Sequence, residues 1–231
     1  MKIMISKNGK LIVIEGTDSS GKETQTKLLF EKLKAMREDT IKISFPNYDS
    51  PACEPVKMYL AGEFGNDAQK INPYPVSTMF AIDRYASYKT DWGKFYNNGG
   101  VIVTDRYVTS NMVHQASKID DESEKERYLT WLEDLEYDKM GIPRPDLVIF
   151  LNMPTEKAVE LMAARKNKIT GEDKKDIHED NFEYLKKSYN NACEISKRNS
   201  WVEIKCVDGD KLKTIEEISA EIFNVAKKVL D

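Results

Sequence analysis

Four aliphatic residues, Leu11-Ile12-Val13-Ile14, run through Glu15 into Gly16-Thr17-Asp18-Ser19-Ser20-Gly21-Lys22, and a segment of helical period follows. This order of strand, glycine turn and helix leaves the chain little freedom. A continuous aliphatic run suits a strand buried on both faces, as in a parallel sheet. The glycines let the backbone turn tightly around an anion with no side chain in the way. Successive N–H groups then point inward, and the helix N-terminus adds partial positive charge. Lys22 would reach the β- and γ-phosphates of a nucleotide. One position departs from the usual pattern. The residue after the lysine normally carries a hydroxyl for magnesium; here it is Glu23, with the hydroxyl one place later at Thr24. Two readings stay open: magnesium is held differently, by Asp18, or catalysis is weak.

Further apolar runs at 41–45, 101–104, 147–151 and 201–207 predict four more strands, the last half-buried or at an edge because it alternates. Helical patterns occupy 21–37, 74–97, 124–139, 155–166, 178–198 and 213–230, and Thr214 with Glu217 forms a capping-box pattern. Strands alternating with helices imply an α/β fold, a parallel sheet covered on both faces. No repeat or linker divides the chain, so a single domain over 1–231 is expected. Residues at about 165–180, RKNKITGEDKKDIHED, are dense in both charges. They read as a solvated loop or as a mobile lid over a charged substrate.

Composition narrows the partners. Lys and Arg number 35 against 39 Asp and Glu, a net charge of −4. That balance disfavours a duplex-binding protein held by phosphate neutralisation, and a polybasic membrane anchor. No apolar run reaches the length of a membrane span, and the N-terminus lacks a secretory pattern. Three widely spaced cysteines, Cys53, Cys193 and Cys206, read as reduced thiols of a cytoplasmic protein. Two histidines without an H-E-x-x-H motif argue against zinc.

The segment Leu11–Gln25 resembles the opening of a thymidylate kinase. Four further blocks follow in the family's order: Phe45-Pro46-Asn47-Tyr48, Phe80-Ala81-Ile82-Asp83-Arg84, Asp105-Arg106-Tyr107-Val108-Thr109-Ser110-Asn111, and Arg144-Pro145-Asp146-Leu147. The resemblance covers nearly the whole chain. It implies a three-layer P-loop NTPase fold with a five-stranded parallel sheet, a homodimer, and transfer of the γ-phosphate of ATP to dTMP with Mg2+. It assigns Lys22, Asp18, Asp105 and Arg106 to catalysis, and Asp18 and Asp105 to the metal. Gly16, Thr17, Asp18, Ser19, Ser20, Gly21, Lys22, Glu23, Thr24 and Arg165 would bind ATP. Phe80 would stack on the thymine, and Arg84 would hydrogen-bond it. Arg106 would bridge the two phosphates, and Tyr107 would line the acceptor pocket. Ser110, Asn111 and Gln115 would lie near the base, with Phe45 and Tyr48 also in the substrate site.

Each residue has a plainer reading beside this one: Phe80 and Tyr107 as core, Arg84 and Arg106 as structural ion pairs, His114 as packing near the pocket. Two separate Asp-Arg pairs, each where the family places one, shift the weight toward function. The resemblance also has gaps. Ser19 stands where one branch of the family has a loop arginine, and the lid offers lysines after Arg165. Tyr48 replaces an arginine that some members point at the acceptor phosphate. Ammonium groups neutralise phosphate without the guanidinium fork. The alternatives are a deoxynucleoside kinase, another nucleoside monophosphate kinase, or a nucleotide-binding protein with weak catalysis.

Overall fold

A computed structural model describes residues 9–65, 67–166 and 182–230. Strand β1 (Lys10–Glu15) lies at the middle of a five-stranded parallel sheet, between β3 (Val101–Asp105) and β4 (Leu147–Asn152). Strands β2 (Thr40–Ser44) and β5 (Val202–Lys205) form the edges, giving the order β2-β3-β1-β4-β5. All five expected strands are present, and the alternating last one is an edge. Side chains alternate across β1 as the pleat requires. Ile12 and Ile14 enter one core with Leu29 and Leu33 of α1 (Lys22–Met36) and Ile218 and Ile222 of α9 (Ile215–Leu230). Leu11 and Val13 enter the other, with Phe45, Trp92, Tyr107 and Tyr128. Truncating a buried leucine such as Leu29 to alanine would cost about 2–5 kcal/mol.

The helix expected over 74–97 is divided. α3 (Pro73–Ser87) starts on an Asn72 cap, whose Oδ1 accepts from the Tyr74 N–H at 2.9 Å, with Pro73 at its first turn. A wide π-helical turn, Tyr88–Trp92, then leads into α4 (Gly93–Asn97). A Cβ at position 93 would come within 2.3 Å of the Tyr88 carbonyl oxygen, so only glycine allows this turn. The turn buries Trp92 edge-on between Tyr88 and Tyr96. The pattern over 124–139 divides likewise into α6 (Glu122–Glu133) and a second wide turn, Asp134–Lys139, which buries both Glu136 and Tyr137.

Two short helices were not legible as helices: α2 (Glu54–Leu60), and α5 (Val108–His114), which follows β3. Helices α7 (Thr155–Lys166) and α8 (Phe182–Arg198) flank the expected lid. Residues 167–180 of that segment, with the Arg165 side chain, lie outside the described residues. The Thr214–Glu217 capping box forms at the start of α9: each backbone N–H meets the other's side-chain oxygen, at 2.7 and 3.2 Å. The last strand stops at Lys205. Val207 belongs instead to a small hairpin, β6 (Val207–Asp208) with β7 (Lys211–Leu212). Among the described residues no helix is long and apolar enough to cross a membrane, and all three cysteines are free.

The strand order reverses direction about β1, which opens a crevice at the carboxyl ends of the strands. The Gly16–Lys22 turn leaves β1 there. The register pairs Ile14 with Asp105, so the Asp105-Arg106 step of β3 emerges beside it.

Candidate active site

The turn after β1 is built around its glycines. A Cβ on Gly16 would fall 2.6 Å from Ser20 Oγ. Gly21 opens α1 with a φ of 87°, and no side chain caps the helix, so no side-chain acceptor occupies its first N–H groups. Lys22 is buried and folds back so that its ammonium donates to the Thr17 carbonyl at 2.7 Å. Its pKa is lowered to about 8, by burial first and by the nearby Arg106 charge second, against the opposing charges of Asp18, Asp105 and Glu15. Ser20 Oγ is buried without a partner. The loop thus presents a desolvated cation and open amides, which suit an anion.

Glu15, which sequence reading passed over, anchors this loop from below. It is fully buried. Its Oε1 accepts from the Gly16 N–H at 3.0 Å, and its Oε2 accepts from Thr109 at 2.7 Å and Ser110 at 2.8 Å. An acid inside an aliphatic strand, one residue before the glycine turn, was the signal available. Ser110, expected near the base, therefore also links α5 to the loop.

Asp105 ends β3 with Oδ1 buried and without a partner. Burial raises its pKa, while the Lys22 and Arg106 charges pull it down. Arg106 has a φ of 64°, in the left-handed region, a conformation costing a non-glycine residue about 1–3 kcal/mol. Its N–H donates to Ile14 O at 3.3 Å, and its carbonyl accepts from Thr104 Oγ1 at 2.9 Å. Its side chain is about one-quarter exposed, and the guanidinium forms an ion pair with Asp18 and donates from Nη1 to His114 Nε2 at 2.8 Å. Asp18, expected as a metal ligand, is thus engaged by Arg106 here. Glu23 is exposed and borders a second cleft with Thr26, Asp105 and Arg106.

One pocket beside the loop brings together Asp18, Phe45, Tyr48, Phe80, Arg84, Arg106, Ser110, Asn111 and Gln115 of the expected residues, and adds Leu60 and His114. Tyr48 is more than half exposed at this pocket. Phe80 meets Tyr59 edge-on, with centroids 6.2 Å apart. Gln115 is buried with Oε1 unpartnered. Asn111 is buried and donates to the Ser77 carbonyl at 3.3 Å.

One expectation changes and a second is narrowed. Tyr107 is core, not pocket wall: it is fully buried against Phe45 and Trp92, and its hydroxyl donates to Pro143 O at 3.0 Å. Arg84 borders the pocket but is closed on Glu136. Nε and Nη2 each donate to the carboxylate at 2.6 Å, and Nη1 donates to Tyr107 O at 3.3 Å. That leaves two of a guanidinium's five N–H donors. Glu136 sits on the second wide turn and carried no motif. The Arg144-Pro145-Asp146 block serves the far end of the sheet. There Asp146 accepts from the Leu11 N–H at 2.9 Å, and Arg144 pairs with Glu133 and covers the Tyr137 ring.

The profile of the family described as "Thymidylate kinase" matches residues 14–222. The thymidylate kinase of Mycobacterium tuberculosis is 31% identical over 162 residues, 70% of this chain and 74% of that protein. That of Plasmodium falciparum is 26% identical over 226 residues, 96% of this chain and 92% of that protein. The structure of the Candida albicans thymidylate kinase superposes with a TM-score of 0.66 at 22% identity, covering 96% of this chain and 92% of that one.

Proposed function

The chain belongs to the thymidylate kinase family, and from that premise we propose that it transfers the γ-phosphate of ATP to dTMP, giving dTDP and ADP. The observation that carries the proposal is the single pocket joining a half-buried aromatic, Phe80, and the amide of Gln115 to Arg106 and Asp18 beside the phosphate loop. A planar base fits between a stacking ring and directed donors. Arg84 offers only donors, so its free N–H groups would meet a carbonyl of the base.

Phosphoryl transfer asks the protein mainly to align two anions and neutralise their charge. Lys22 would take the donor phosphates together with the open amides of α1. Arg106 would exchange Asp18 for the acceptor and transferring phosphates. The acceptor phosphate is already ionised, so no general base is required.

Among the described residues no three His, Cys, Asp or Glu side chains converge on a metal position. The unpartnered, buried Oδ1 of Asp105 does fit Mg2+, which usually takes one or two carboxylates and completes its shell with phosphates and water. Asp105, with Asp18 once Arg106 has left it, would hold the ion, which when bound neutralises phosphate charge. Arg165 remains part of the ATP site in this proposal, as do a one-domain organisation with a lid, a homodimer, a cytoplasmic location and a role in dTTP supply.

An ADP-release assay across nucleoside monophosphates and deoxynucleosides tests the reading. Preference for dTMP is expected; equal rates with other monophosphates, or a preference for an unphosphorylated nucleoside, would overturn it.

A further inference from the structure

His114 ends α5 and is largely buried, and its ring borders the pocket. Arg106 Nη1 lies 2.8 Å from His114 Nε2. A guanidinium has no acceptor and keeps its proton at any working pH. Nε2 must therefore offer a lone pair, and the ring proton belongs on Nδ1. Nδ1 faces the Tyr184 hydroxyl of α8 at 3.5 Å, and the two rings lie within 20° of parallel with centroids 6.4 Å apart. The His114 carbonyl is fixed by Ser117 Oγ at 2.8 Å.

Arg106 is held from two sides, by Asp18 on the phosphate loop and by His114. The two contacts differ in kind. A carboxylate orients the guanidinium and cancels its charge, whereas a neutral imidazole orients it and leaves the charge available. We infer that His114 is the positioning residue for Arg106: as the neutral Nδ1–H tautomer it holds the guanidinium in place while the Asp18 contact is exchanged for phosphate. This rests on the proposed phosphoryl transfer. It concerns a residue that the sequence treated as packing.

The chain has two histidines, His114 and His178, so 15N-histidine labelling with a His178→Gln control isolates the His114 ring. The expected spectrum shows a protonated Nδ1 and an unprotonated Nε2; a protonated Nε2 overturns the inference whether or not the protein is active. Kinetics form the second arm. His114→Leu removes the acceptor and should lower kcat roughly ten- to a hundredfold, as a small misplacement of a catalytic group does. KM for ATP should stay within about twofold. His114→Gln returns a carbonyl acceptor and should recover most of the loss. Equal losses in both variants, or a leucine variant within about twofold of wild-type kcat, would overturn the inference. Should the leucine variant fail to fold, the glutamine variant and the wild-type spectrum still decide it. A wild-type protein without transfer activity would sink the functional reading alone.

Discussion

Arg84 and Arg106 each follow an aspartate, in Asp83-Arg84 and Asp105-Arg106, yet they stand in different surroundings. Arg84 is almost fully buried on α3, and its fork is closed on Glu136 in a bidentate pair with both side chains out of water. Arg106 sits on a strained turn with its side chain about one-quarter exposed and its guanidinium shared between Asp18 and His114. A charge sealed with its counter-charge in a dry core cannot change partners without leaving an uncompensated ion. A charge at the mouth of a crevice can. The first arrangement suits reading a fixed shape such as a base edge; the second suits a phosphate that arrives and leaves. Neighbouring sequence does not separate the two roles, but burial does.

The sharpest test of this contrast is Arg106→Ala. Turnover should fall about a thousandfold or more, the scale seen when a transition-state arginine is lost, with little change in melting temperature. A variant within a few-fold of wild type by ADP release would erase the distinction.

Glu136→Leu probes the other arginine. Stranding Arg84 should cost about 3–5 kcal/mol in a denaturant titration. The double variant Arg84→Met with Glu136→Leu should restore most of that stability while base recognition stays lost. An intact single variant would mean that the pair is not sealed.

Lys22 reports on Arg106 from a distance. With a pKa of about 8 in the free protein, it is partly deprotonated near pH 8 and mostly so at pH 9. Bound phosphates favour the ammonium, so ATP binding at pH 9 should take up close to one proton, read from the buffer dependence of the calorimetric enthalpy. The same shift makes folding of the free protein more favourable as pH rises from about 8 toward 10.5, because the unfolded chain keeps its proton longer. Arg106 is one cause of the depression, so Arg106→Ala should reduce the uptake. An unchanged uptake would remove Arg106 from the neighbourhood of Lys22.

The smallest expected effect is that of Asp18→Asn. Without metal, dTMP should bind roughly three- to tenfold tighter, since Arg106 no longer has to leave an ion pair first. Weaker binding would show that Asp18 does more in the empty pocket than occupy Arg106.

The sheet and the phosphate loop were legible because both write themselves in short segments: aliphatic runs for β1, β3 and β4, glycines at fixed spacing for the turn. Pocket residues such as Phe80, Asn111 and Gln115 were found through the order of the motifs. What escaped depends on residues distant in sequence. The role of Glu136 exists only because a wide turn carries it to an arginine 52 positions earlier. Tyr107 reads as a pocket residue until Trp92 and Phe45 are seen to enclose it. Helix α5 is rich in β-branched residues, which favour strands, and forms because nearly all of it is buried. His114 looked inert because its partner's side chain reaches it through space.

The register that sets Ile14 opposite Asp105 also has a consequence in time. The glycine turn and α1 are local and can form within one stretch of chain. Asp105 and Arg106 reach them only when β3 docks on β1, after a long loop has closed, and such contacts are entropically slow to make. Recovery of activity should follow the closing of the central strand pair rather than the first appearance of helix.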